Sequence, residues 1–220
     1  MASDRAKEIR DALQKLYDHI DDVQLETLKK LSAMEALHII DFHANSWIDT
    51  ISWISSKYAR QEQMNIVMLH FIRVFKEIYW IQLLFQNANY PMMYRNLRYI
   101  LEMMCQAYYV EIHHHGLTLD EQLEKAREIE QRGLYGWNLM RPVLCEVFGE
   151  HLSESHFHPL WIRLCRHAHP SPTETDATAM ADFSILVTDS FNEELAREAM
   201  RTTDDVFDAV FAIVFRRFPE

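Results

Sequence analysis

Glycine and proline are scarce in this chain, at four and six residues among 220. That is too few to supply the turns of a many-stranded sheet, whereas helices need such punctuation only at their ends. Cysteine is also rare. Cys105, Cys145 and Cys165 are odd in number and lie inside apolar helical patterns, which argues against a disulfide framework and for reduced thiols in a cytoplasmic protein. Residues 1–10 are highly charged and hold no apolar run with a cleavage site, so no targeting leader is expected. Uninterrupted apolar runs are missing as well. The best membrane candidate, residues 64–85, is broken by His70, Arg73, Lys76 and Glu77 and reads as a buried bundle helix. Positive charge is in deficit: 22 Lys and Arg against 33 Asp and Glu leave a formal charge of -11. This is the wrong sign for general attraction to nucleic acid, so any such contact must be local. There is no glycine-rich phosphate loop and no Gly-x-Ser-x-Gly elbow, which argues against the common nucleotide hydrolases and α/β hydrolases.

What is present is helical periodicity. With 49% apolar residues the chain can bury one full core, and an all-α antiparallel bundle of about six to eight helices in a single domain is expected. Residues 1–60 read as an N-terminal helical pair, 61–169 as the central bundle and 190–218 as a C-terminal helix. Ile9, Leu13, Leu16, Ile20, Val23 and Leu28 give the first helix an apolar face, which also suits docking on a partner. Ser32 and Glu35 have capping-box spacing ahead of a second helix reaching about Tyr58. A third is expected from about Glu62 to Phe85, and a fourth from Pro91 to His115 with Gly116 in the left-handed cap. Thr118 and Glu121 open a polar helix by the same capping logic. Pro142 marks a kink or start in the next one. A short helix at 158–167 and a last one at 192–217 complete the set, with 170–177 as a linker. Residues 183–188 form a short β-favouring run.

Two constellations carry chemistry. On the fourth helix Arg98 and Glu102 stand four residues apart beside Leu97, Leu101, Met104 and Tyr108. If that stripe faces the core the pair is partly desolvated and must associate, because an isolated buried charge costs several kcal/mol. The pair is either an ordinary intrahelical bridge or a device in which Glu102 orients Arg98 or a histidine toward a site. The second constellation lies at residues 161–171, where Arg163, Arg166, His167 and His169 gather at a helix end stopped by Pro170 and Pro172. An arginine and a histidine this close can share one anion, the first as fixed charge and the second as proton carrier. The plainer alternative is a histidine satisfying the free carbonyls of a helix end.

The segment from Asn96 through Glu102, followed some sixty residues later by Arg163-Leu-Cys-Arg-His-Ala-His169, resembles the HEPN-like group of helical proteins over roughly residues 64–171. That resemblance implies an RNA-acting protein, in some members a metal-independent ribonuclease of toxin or defence type, working as a homodimer with the arginine and histidine motif near the subunit interface. Other members are noncatalytic. Arg163 and His169 match the motif. The position after the arginine, usually polar in that group, is Leu164 here. Cleavage of RNA by its own 2′-hydroxyl needs a base, an acid for the leaving 5′-oxygen and positive charge over phosphorus. His169 suits the proton transfers and Arg163 the charge, with His167 and Arg166 as further candidates. The other class of function is a catalytically silent helical protein binding a protein partner or a small ligand.

Metal and cofactor chemistry have weaker support. His113, His114 and His115 are adjacent, so on a helix they fan out by about 100° each and cannot meet one ion. His151, His156 and His158 with Glu154 lack any established zinc spacing. No cofactor is implied. Tyr79, Trp80, Phe85, Tyr90, Tyr94, Tyr99, Tyr108 and Tyr109 concentrate on the central helices, where they read mostly as core and otherwise as a ligand pocket or dimer seam.

Overall fold

The structure, a computed structural model, describes residues 2–33, 36–168 and 191–219. Its helices are α1 (Ala2–Ala33), α2 (Ala36–Lys57), α3 (Arg60–Gln63), α4 (Ile66–Gln86), α5 (Tyr90–His113), α6 (Leu119–Gln131), α7 (Trp137–Phe148), α8 (Glu150–Leu152), α9 (His158–Ala168) and α10 (Glu193–Arg217). A π-helical turn, Ser153–Phe157, joins α8 to α9. Among the described residues there is no strand, and the architecture is the expected all-α bundle. The β-favouring run at 183–188, the 170–177 linker, and Glu35 of the Ser32/Glu35 box lie outside the described residues.

α5 is the axis of the bundle because it is apolar on most of its circumference, and α4, α7, α9 and α10 all pack against it. Leu97, Ile100, Leu101, Met104 and Tyr108 are all buried on it. Burying each large apolar side chain is worth about 1.5–3 kcal/mol, and Leu101→Ala would cost roughly 2–5 kcal/mol by leaving a hole. Local chemistry sets the ends. Asn89 accepts from the Met92 N–H with Pro91 in the first turn, and Gly116 adopts φ +88 after the helix. Thr118 and Glu121 make the reciprocal capping box that starts α6.

Three expectations need correction. The third helix does not run unbroken from Glu62: Asn65 accepts from the Met68 N–H and donates to the Glu62 carbonyl, so a new helix begins at Ile66. The segment expected as a buried bundle helix buries only one side. Leu69, Ile72, Tyr79, Trp80 and Leu83 of α4 are exposed, so with Tyr99 of α5 three of the eight aromatics read mostly as core are outside it. The apolar face of α1 is likewise engaged only late: Val23 and Leu31 are buried, while Leu13 is exposed because α2 and α4 meet only part of so long a helix. No described helix is long and apolar enough to cross a membrane.

One buried polar network ties the ends of the bundle together. The Glu111 carboxylate on α5 accepts from Arg217 Nε at 2.7 Å and from Gln122 Nε2 at 2.5 Å. The Gln122 carbonyl oxygen in turn accepts from the first N–H of α4, at Ile66. A buried carboxylate needs such satisfaction, and here it couples four helices.

Candidate functional site

α9 packs against α5 and reaches α10 through the Arg163 side chain, and its two flanks carry different chemistry. Trp161 and Cys165, four residues apart, face α5. The Arg98 guanidinium lies 4.7 Å from the centroid of the Trp161 ring and 3.3 Å from Glu102, and both side chains of that ion pair are more than two-thirds buried. The pairing expected from the sequence is therefore present, and Arg98 lies against the Trp161 ring of α9. Leu164, the departure from the HEPN-like pattern, is fully buried, which accounts for an apolar residue at that position.

Arg163 sits some 200° around α9 from Trp161 and looks the other way. Its Nη1 donates to Thr202 Oγ1 at 3.1 Å and its Nε lies 3.4 Å from Glu198, both on α10. It borders an open groove of about 680 Å³ with Glu193, Glu194, Arg197, Glu198 and Arg201. Arg98 and Arg163 thus have different partners, Glu102 and Trp161 for the first and Glu198 and Thr202 for the second. Arg166 is exposed and His167 occupies the last turn of the helix. His169 lies outside the described residues.

α10 supplies acid–base pairs that have no counterpart in the sequence patterns. His43 Nε2 of α2 meets Asp204 at 2.7 Å, and His156 meets Asp205 at 3.3 Å. Burial raises the Asp205 carboxyl above the usual range, against the lowering pull of His156 and Arg163. Beside Thr202, burial pushes the Tyr94 phenol up to about 12, which leaves it protonated at neutral pH. The partners of each pair are far apart in the chain, and only the adjacent acids Asp204 and Asp205 hinted at a charged cluster. The histidines weighed as metal ligands disperse: His158 stacks on Trp137, His156 faces Asp205, and Glu154 is held by Arg141 at 2.5 Å. Among the described residues no three His, Cys, Asp or Glu side chains converge as an ion would require.

A second recess opens on the far side of Glu102. It measures about 220 Å³ and lies between α4, α5 and the α6–α7 turn. His70 and Arg73 of α4, with Tyr99, Glu102, Met103 and Gln106 of α5, form two walls. Glu130, Leu134, Tyr135, Gly136 and Leu139 close the third. Gln106 donates to Glu130 at 3.1 Å. Burial, helped by the Arg73 charge, lowers His70 to about 4, so its ring is neutral at pH 7. Its Nδ1 is buried without a partner among the described residues.

The groove's three arginines alternate with three glutamates, and Arg163 and Arg197 are already paired with Glu198 and Glu193. Comparison of the chain with protein-family models, with curated proteins and with solved structures finds no match.

Proposed function

We propose that this chain is a HEPN-like RNA-acting protein, a cytoplasmic homodimer that grips a phosphodiester in the groove between α9 and α10 and cleaves it without metal. One observation supports the reading. Arg163, Arg197 and Arg201 border a single open groove, and Arg163 stands four residues before His167 and six before His169. Arginine matches phosphate oxygens with its planar fork, and a histidine near its ordinary pKa can remove the 2′-hydroxyl proton or protonate the leaving oxygen. Two copies related by a two-fold axis would double the set.

A second reading, a catalytically silent protein that binds a partner or small ligand, is favoured by a different observation. Arg163 is already committed to Glu198 and Thr202, and three carboxylates interleave the groove. Incubation of the purified protein with total RNA in EDTA separates the two. The first reading expects cleavage that Arg163→Ala and His169→Ala each abolish. Cleavage surviving both substitutions sinks the site, and absence of cutting or binding even at low salt leaves the silent reading.

A further inference from the structure

We infer that the recess beside Glu102 is a binding site for a single guanine nucleotide unit, either free or as an unpaired base of RNA. The inference is independent of RNA cleavage, because the recess and the arginine groove have no lining residue in common.

Size sets the first limit. A cavity of about 220 Å³ is below the roughly 300–1,000 Å³ of sites for drug-sized ligands, so it admits one ring system and not a dinucleotide. Shape sets the second. Tyr99 and Tyr135 are exposed at the recess while Met103 is buried in it, an arrangement suited to a flat ring stacked on aromatic faces. Chemistry sets the third. Glu102 is held by Arg98 at 3.3 Å and can only accept hydrogen bonds when ionised. Guanine offers two adjacent N–H donors along its pairing edge, whereas adenine, cytosine and uracil mix donors with acceptors there. A carboxylate therefore selects guanine. Arg73 lines the same recess, forms no ion pair among the described residues, and is placed to take the 5′-phosphate.

The test is calorimetric titration of the full chain with GMP, AMP, CMP, UMP and guanosine. GMP should bind at least about ten-fold tighter than the other three nucleotides, the discrimination expected of one good bidentate pair. Glu102→Gln should reduce GMP to the level of AMP. Arg73→Ala, an exposed position, should weaken GMP about ten-fold and leave guanosine unchanged. Equal binding of GMP and AMP, or no GMP binding at millimolar concentration by protein with a native circular dichroism spectrum, overturns the inference. Competition by a short single-stranded RNA containing one guanosine then identifies the source: displacement of bound GMP means a base within RNA, and no displacement means the free nucleotide. Either result upholds the site.

Discussion

The guanidinium of Arg217 reaches back 106 residues to meet the Glu111 carboxylate at 2.7 Å, where that carboxylate is only 3% exposed. The C-terminal turn of α10 is thereby fastened to the end of α5, and Gln122 adds α6 and the start of α4 to the same knot. Removing one partner leaves a buried charge without its counterion. Arg217→Ala should cost about 3 kcal/mol, lowering Tm by roughly 10 °C for a chain of this size. A double-mutant cycle with Glu111→Gln measures the coupling, and a loss for Arg217→Ala below about 0.5 kcal/mol would show the pair to be as weak as a surface bridge.

Stability should fall with acid through His70. Its folded-state pKa of about 4 is below the ordinary 6.5, so the unfolded chain binds more protons between those values. The contribution is fully present above about pH 6.5, declines as pH drops toward 4, and amounts to about 3 kcal/mol across that window. Thermal melts of His70→Gln against wild type between pH 7 and pH 4 check this. The variant should lose the larger part of the slope, and parallel curves would contradict the assignment.

Glu198 restrains Arg163. Because both side chains are at least one-third exposed, Glu198→Gln should change stability by less than about 1 kcal/mol. If the groove holds phosphate, the same substitution should strengthen RNA binding at low salt, since it removes a like charge from the ligand and frees a guanidinium. Filter binding across a salt series would reveal it, and weaker binding would argue against the groove.

Gly136 holds φ +61 at the edge of the recess, and a Cβ there would lie 3.3 Å from Trp161 Cζ2. Gly136→Ala should therefore destabilise by about 1–2 kcal/mol through backbone strain and a displaced indole. The indole carries Arg98 on its face, so tryptophan fluorescence should shift along with the denaturation midpoint. An unchanged spectrum and midpoint would rule out the close approach.

Cys105 is fully buried and burial pushes its thiol far up, while Cys165 is raised more modestly and partly countered by Arg98. Thiol titration of the native protein near pH 8 should leave Cys105 unmodified until denaturant is added. Prompt reaction of all three cysteines would mean that α5 opens far more readily than its burial implies.

Features decided within one or two helical turns were legible from residue order. The Thr118–Glu121 box, Pro91 in the first turn of α5 and the Arg98–Glu102 pair all depend on neighbours three or four positions away. The break at Asn65 was hidden because the polar residues from Arg60 to Gln63 are good helix formers, so a capping asparagine before Ile66 looks like one more polar position of a longer helix. At the candidate site, spacing along α9 could be read, but the helices against which its flanks pack could not. His43–Asp204, 161 positions apart, has no local signature at all.

Composition and periodicity by themselves determined an all-α chain, its principal helices and the association of Arg98 with Glu102, since backbone hydrogen bonding and i,i+4 proximity are local forces. Only tertiary packing decided that Arg163 faces α10 while Glu102 faces a recess toward α4. The packing of α9 on α5 turns Trp161 and Arg163 of one short helix to different neighbours, and that assignment depends on how whole apolar faces fit together.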